Sequence, residues 1–381
     1  MSFQKSLHPV LVPLVEECFR NDKINGQGGM MAITGVKSSL INGPTDKLCD
    51  RFTVSVPYCG SHIKWEVIFN HKYPTEPPDI VWSADDDINN FDPEIDNLQS
   101  LVDWNHKDNL SLSHLLEELL EEYRRHHKSL ISSHQRLNFE YNTLKESNMS
   151  LSQIDIHCQP PTTKQSEPVT TFYIRLEVDF STLPAYLSKD NPGASFAALT
   201  AVFHPPNASK VDISLYLSPS IERILGSAAN IKLPSWNSED SYLMDYVPNV
   251  HKILQEKVEG IVQNFVRRKE YIAALLGLMG QSVLEYDTES YMKIAFLFES
   301  NQGFCFIAHL NLTEAFPSEV PILSLYSIYH KYDGRPFQYI LEGMPYSSHW
   351  DAEEKAWRMK THIAQVIPKF MEICKTSGEL L

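Results

Sequence analysis

The chain has 381 residues with 43% hydrophobic and 21% charged side chains. That is too long for one ordinary core, and the composition is that of soluble globular domains, two or three of them. A formal net charge of −15 repels phosphates at long range and argues against non-specific binding to nucleic acid or anionic membrane.

Apolar positions at Val10, Leu11, Leu14, Val15, Cys18 and Phe19 predict a helix over about Leu7–Arg20. After the Gly-rich "NGQGG" come β-type stretches around Met30–Val36, Phe52–Pro57 and Ile63–Phe69. The last two alternate with period two, as half-buried antiparallel strands do, and "CGS" between them is hairpin-length. "YPTEPP" at Tyr73–Pro78 removes ladder donors and turns the chain out of the sheet, and "DIVW" reads as a short fourth strand. An aromatic before Pro74 favours a cis bond there. The acidic "ADDDINNFD" reads as a solvated loop or, less simply, a docking patch.

Leu112 to Tyr123 carry a broad apolar face, and a narrower seam follows through Tyr123, His127, Leu130, His134, Leu137, Tyr141 and Leu144. One helix reaching Lys145 would project well beyond a small domain and act as a spacer. "SNMSLSQIDIHCQPPTTKQSEPV" is polar, Pro-rich and reads as a linker. Three further strands follow in "TFYIRLEVDF", "FAALTAVF" and "VDISLYLSP", then a helix from "NVHKIL" that Gly280 ends. A third strand set, "SYMKIAFLFES", "GFCFIAHLNL" and "PILSLYSIY", precedes a final helix from "DAEEKAW".

The order repeats. "YPTEPPDIVW" returns as "FPSEVPILSL" at Phe316–Leu325; Pro74 and Pro317 lie 243 apart, Trp104 and Trp350 lie 246 apart. A middle segment repeats the order of elements around Trp236. The economical reading is three copies of one α+β unit. Each Trp is expected to anchor its unit's helix to its sheet, because a buried indole supplies a large apolar area; Trp350 sits in the exposed-looking "PYSSHWD".

The unit resembles the ubiquitin-conjugating (UBC) fold, most clearly over "FTVSVPYCGSHIKWEVIFNHKYPTEPPDIVW". Its signature falls on Tyr73, Pro74, Pro77, Pro78 and Trp104, on Trp236, and on Phe316, Pro317, Pro321 and Trp350. Active members carry a cysteine shortly after the Pro-rich step that accepts ubiquitin as a thioester. Here no cysteine stands between Cys59 and Cys158 or between Cys305 and Cys374, so neither Pro74–Pro78 nor Pro317–Pro321 is followed by a nucleophile. "FHPPN" at Phe203–Asn207 has no cysteine within its unit and reads as a Pro-rich loop. The units resemble ubiquitin-conjugating variants (UEV/RWD-type) that keep the fold and have lost the chemistry.

Along the whole chain, "CDRFTVSVPYCGSHIKWEVIFNHKYP", "LMDYVPNV", "RRKEYIAALL" and "PYSSHWD" are similar to the brain and reproductive organ-expressed (BRE) family. The resemblance implies an α+β chain of three tandem UBC-like modules, each an antiparallel meander flanked by helices, in an elongated arc. They would fall at 1–147, 169–266 and 267–381, with a linker at 148–168. It implies a non-catalytic scaffold of the BRISC deubiquitinase and the related nuclear A complex, in cytoplasm and nucleus. Its partners would be a von Willebrand A-type adaptor, a JAMM/MPN+ metalloprotease and an Abraxas-type MPN subunit, together trimming linkage-selective polyubiquitin. The alternative is a UEV receptor that binds ubiquitin or a peptide directly.

No cofactor or metal is expected. None of the 15 histidines forms the His-x-His pair a JAMM zinc site needs, and H-E-x-x-H and phosphate-loop motifs are absent. His126 and His127 point about 100° apart on a helix and read as solvated, with His127 and His134 as possible interface residues. Cys305 and His309 share one strand face about 13 Å apart, with Cys305 read as core. The basic "VRRKEY" either pairs within the chain or grips an acidic partner, which adds Arg267, Arg268 and Tyr271 to the interface candidates, beside Tyr346 and Trp350. Six scattered cysteines and no signal-like or spanning segment predict a soluble intracellular protein with mostly buried thiols.

Overall fold

The computed structural model describes residues 7–21, 24, 29–39, 48–83, 91–94, 97–146, 154–159, 167–189, 193–237, 240–377 and 379–380. "ADDDINNFD" before Phe91 and most of "NGQGG" lie outside them. The fold is α+β with three antiparallel sheets, and the chain divides into two compact units. Unit 1 comprises Met1–Val178 and Pro192–Leu254; unit 2 comprises Asp179–Asn191 and Gln255–Leu381.

Unit 1 begins with α1 (Leu11–Cys18), which buries Leu11, Leu14, Val15 and Cys18, the period the sequence shows. The first sheet has order β1 (Ala32–Lys37), β2 (Arg51–Tyr58), β3 (Ser61–Ile68), β4 (Asp79–Val81). The β2–β3 turn at Cys59-Gly60 has φ of 50° and 74°, the left-handed pair that a two-residue hairpin needs. Helix α2 (Ser111–Ile131) lays Leu112, Leu115, Leu116, Leu119, Leu120 and Tyr123 into the same core as Phe52, Val54 and Trp65.

The second sheet has order β5 (Ile154–Cys158), β6 (Thr170–Leu176), β7 (Ala197–His204), β8 (Lys210–Leu217). Here two expectations fail. Strand β5 lies inside the segment read as a linker, where Ile154, Ile156 and Cys158 alternate along "IDIHC". The long helix is not continuous: it stops at Ile131 and restarts as α3 (Gln135–Glu146). At the break the Ser132 hydroxyl donates to the Ser129 carbonyl, and His134 Nδ1 accepts the Leu137 N–H as the cap of α3. Nor is α2 a projecting spacer, since its C-terminal half packs on β5 within unit 1. In the seam Tyr123, His127, Leu137 and Leu144 are buried with Ile131, whereas Leu130 is exposed.

Helix α4 (Leu243–Met279) enters unit 2, where Tyr271, Ile272, Leu275 and Met279 face the core. The third sheet runs β13 (Arg335–Ile340), β12 (Ile322–Tyr332), β11 (Cys305–Asn311), β10 (Lys293–Glu299), β9 (Val283–Tyr286), with β14 (Glu379–Leu380) pairing β12. Strands β9 and β13 were not evident from alternation. Helix α5 (Ala352–Ser377) covers one sheet face through Ala356, Met359, Ile363 and Phe370. Among the described residues no helix is long and apolar enough to cross a membrane.

The repeat has a structural form. In each sheet a Pro-containing step joins the third strand to the fourth: Tyr73–Pro78 between β3 and β4, Pro205-Pro206 between β7 and β8, Phe316–Pro321 between β11 and β12. The bonds before Pro206 and Pro317 are cis; the bond before Pro74, where cis was expected, is not.

Candidate functional site

The two matching Pro-rich steps are finished by side chains from the segment that follows. In the first, Trp104 packs on Phe69 with ring centroids 6.1 Å apart, and its Nε1–H donates to the Thr75 carbonyl at 3.1 Å. Pro78 is buried, Pro74 half-buried and Pro77 exposed, while Tyr73 is 59% exposed. In the second, the Tyr346 hydroxyl donates to the Pro317 carbonyl at 2.6 Å. Pro321 is buried, and Phe316 is 1% exposed and stacks on Tyr271 with ring centroids 5.3 Å apart.

Beside this second step unit 2 opens into a cleft of about 390 Å³. Its walls are Arg267, Glu270 and Tyr271 of α4, Phe316 and Pro317, and Ser348 to Ala352 with Lys355. Arg267, Glu270, Asp351 and Ala352 also line an adjoining groove of about 970 Å³, whose far wall carries Trp357. Five residues singled out in the sequence thus meet here: Arg267, Tyr271, Phe316, Pro317 and Trp350, with Tyr346 bonded to the rim. Trp350 is half-buried and lies under the Arg358 guanidinium, 5.0 Å from the ring centroid. Arg267 pairs with Glu270 at 3.1 Å on the exposed face.

Lys355 was missed by the sequence reading. It is 7% exposed, donates to the Ser348 and Trp350 carbonyls, and sits about 6 Å over the Phe316 and Tyr346 rings. Burial lowers its pKa, and the nearby Arg267 lowers it further. The available signal was a lysine in the first turn of a helix, beside Ala356 on its apolar face, where the dipole disfavours a cation. Asp351 caps that helix by accepting the Glu354 N–H at 2.7 Å.

Other candidates are interior. Arg268 is 1% exposed and is bound by three neutral oxygens: Ser290 O and Glu314 O at 3.1 Å each, and Tyr186 Oη at 3.0 Å. The expected pairing with acidic side chains therefore does not describe it, and the fork is satisfied inside unit 2. Tyr271 is likewise 1% exposed, its hydroxyl 3.6 Å from Met359 Sδ.

His127 corrects the reading of solvated helix histidines. It is fully buried, Nδ1 accepts the Cys158 N–H at 3.1 Å, and its ring lies 4.4 Å from Tyr123 and 5.0 Å from His157. Among the described residues Nε2 has no hydrogen-bond partner. Burial, with His157 and His126 adding, pushes its pKa down to about 3. The same joint holds the Tyr58 hydroxyl on Ile156 O at 2.6 Å and Arg124 on the buried Asp155 at 2.9 Å. His134 lines a separate surface cleft of about 660 Å³ in unit 1, beside Arg136, which lies over the Tyr242 ring.

Trp236 packs edge-on against Tyr246 at the start of α4, 5.2 Å between centroids. Cys305 is not core: with Ile307 and His309 it lies on the outer face of β11, half-buried. Cys18, Cys158 and Cys374 are buried and the other three thiols half-buried. No cysteine lines the cleft at the second step, and among the described residues no group of three or more His, Cys, Asp or Glu is placed to hold a metal. The cleft offers aromatic faces, two cations and two carboxylates, the surface of a binding site.

The family described as brain and reproductive organ-expressed protein (BRE) matches the chain over residues 5–331. A Branchiostoma floridae protein named "BRISC and BRCA1-A complex member 2" is 36% identical over 383 residues, covering 100% of this chain and 99% of that protein. A Danio rerio protein of the same name is 36% identical over 382 residues, covering 98% and 97%.

Proposed function

The chain belongs to the BRE family, and from that premise we propose that it is a non-catalytic scaffold subunit of a deubiquitinase assembly of the BRISC kind. The full-length relatives bear the name of a complex member, which supports subunit status. In this reading each sheet is the core of one UBC-like module, the first within 1–147, the third within 267–381, and the second, expected at 169–266, extended back to include β5 at Ile154–Cys158 in place of a linker, in an elongated arc. The shared placement of a Pro step between third and fourth strands supports that assignment. The chain bridges a von Willebrand A-type adaptor to a JAMM/MPN+ protease and its Abraxas-type partner, in cytoplasm and nucleus, and supports linkage-selective polyubiquitin cleavage. Exposed Arg267, half-buried Tyr346 and Trp350, and the region around His134 are the surfaces assigned to partners.

One observation carries the proposal: the cleft beside Pro317 is lined by Lys355, Tyr271 and Trp350 but by no thiol. A UBC-like fold without the atom that accepts ubiquitin retains only its surfaces. The test is reconstitution of the protease pair and adaptor with and without this chain. Polyubiquitin cleavage is expected to fall when the chain is omitted, and incubation with activating enzyme, ATP and ubiquitin is expected to give no reducible adduct. Undiminished cleavage without the chain refutes the scaffold. The open aromatic cleft favours a second reading, direct binding of ubiquitin or a peptide; titration with labelled ubiquitin separates the two, because a scaffold gives no saturable signal.

A further inference from the structure

The third sheet covers one face with α5 and leaves the other open. On that open face Leu297, Ile322, Ile328 and Ile340 are each between 40% and 55% exposed. The face has an internal symmetry that the register makes visible. Phe296, Ala308, Leu325 and Tyr339 pair in one row across β10, β11, β12 and β13, and they point to the core. The neighbouring rows point outward: Ala295, His309, Ser324 and Ile340 on one side, Leu297, Ile307, Tyr326 and Gln338 on the other. A two-fold axis laid along the central row turns the sheet over and reverses its strands. It sets the first outward row of one copy on the second outward row of another.

Under that operation two of the four facing pairs match by size, while His309 meets Ile307 and Ile340 meets Gln338. Leu297 meets Ala295 of the second copy and Tyr326 meets Ser324, large over small in both directions, as interdigitating sheets require. One step further out Ile322 meets Ile328. At the end of β10, exposed Lys293 meets exposed Glu299 of the second copy, and the symmetry makes that contact twice. We infer that the outer face of the third sheet is a self-association surface, on which a second copy of this chain docks face to face about a two-fold axis.

The four strands span about 19 Å and the seven residues of β10 about 24 Å. The patch is therefore smaller than the ~800 Å² per partner of a standard interface, and weak, reversible association is expected. This inference does not depend on the scaffold reading.

Sedimentation velocity on the full chain, from about 1 to about 100 µM, is expected to show a reversible monomer–dimer equilibrium in this range. Lys293→Glu or Glu299→Lys alone puts like charges at both symmetric contacts and should weaken dimerisation about tenfold at low salt. The double charge swap should restore it to within about threefold. Both positions are exposed on a strand, so circular dichroism and melting should be unchanged. Asn311→Cys places a thiol opposite Cys305 of the second copy, and a short bis-maleimide should then give a covalent dimer that wild type does not. A chain that stays monomeric throughout, as it would if this face takes a different protein, overturns the inference. So does a single reversal without effect, or a swap that fails to restore.

Discussion

Acid should open unit 1 at His127. The ring is buried with a pKa near 3 in the folded chain, against 6.5 for an ordinary histidine. Folding therefore favours the neutral form. The contribution is intact above about pH 6.5 and is lost progressively as pH falls towards 3, where the folded ring protonates at last. With these values the joint between α2 and β5 weakens by about 2 kcal/mol on going from about pH 7.5 to about pH 5, roughly thirtyfold in an opening equilibrium. The reporter is the Cys158 amide, whose hydrogen bond to Nδ1 breaks when the joint opens. Hydrogen exchange of peptides covering Ile154–Cys158, corrected for the intrinsic pH dependence, should lose about that much protection. His127→Asn keeps an acceptor near Nδ1 without the titrating ring and should lose far less, although less stable throughout. The burial-raised Glu140 titrates in both proteins and cancels in the comparison. Equal loss of protection in wild type and variant would refute the reasoning.

Arg268→Met should cost unit 2 about 3 kcal/mol or more, because two carbonyls and a tyrosine hydroxyl lose their donor in a buried site, and Arg268→Lys should not rescue it; chemical unfolding of the full chain measures both. A fragment ending at Glu146 removes β5 and uncovers Tyr58, Arg124 and His127, so it should self-associate or precipitate, whereas one ending at Leu254 keeps unit 1 whole. A well-behaved monomer from the shorter fragment would sink that expectation.

The parts of the fold that were legible in the sequence are those fixed locally. "RFTVSVPYCGSHIKWEVI" declares a hairpin by alternation and by Cys59-Gly60 at the turn, and Gly280 ends α4 where the apolar period stops. Strand β5 was hidden because its polar positions look like linker chemistry. Asp155 is polar and yet buried, since Arg124 waits for it on a helix 31 residues earlier. His127 was misjudged for the same reason: an adjacent His126 and flanking arginines suggest solvent, and only the arrival of β5 buries the ring. The break at Ser132–His134 is equally obscure, because three helix-tolerant residues stop the helix only when their side chains turn back on the backbone. At the candidate cleft the aromatic and Pro residues could be gathered from the repeat, but Lys355 could not. Its burial depends on carbonyls of Ser348 and Trp350 that a sequence does not place.

Neither matching Pro-rich step has a cysteine shortly after it, and the geometry of each shows what it does. A proline cannot donate, so each step leaves the sheet with carbonyls that the ladder no longer satisfies. The first step hands its Thr75 carbonyl to the indole of Trp104; the second hands its Pro317 carbonyl to the phenol of Tyr346. Each donor is a rigid aromatic from the stretch leading into the next helix, so the same contact that satisfies the turn fixes where that helix begins. From that common plan the two steps diverge. The first turns Tyr73 outward; the second turns Phe316 inward under Tyr271, where its face meets the Lys355 ammonium. The aromatic that precedes the proline thus ends as surface in one copy and as the floor of a cleft in the other. A turn that organises a helix start is useful whatever follows it, which accounts for a Pro-rich step built twice with no cysteine shortly after it.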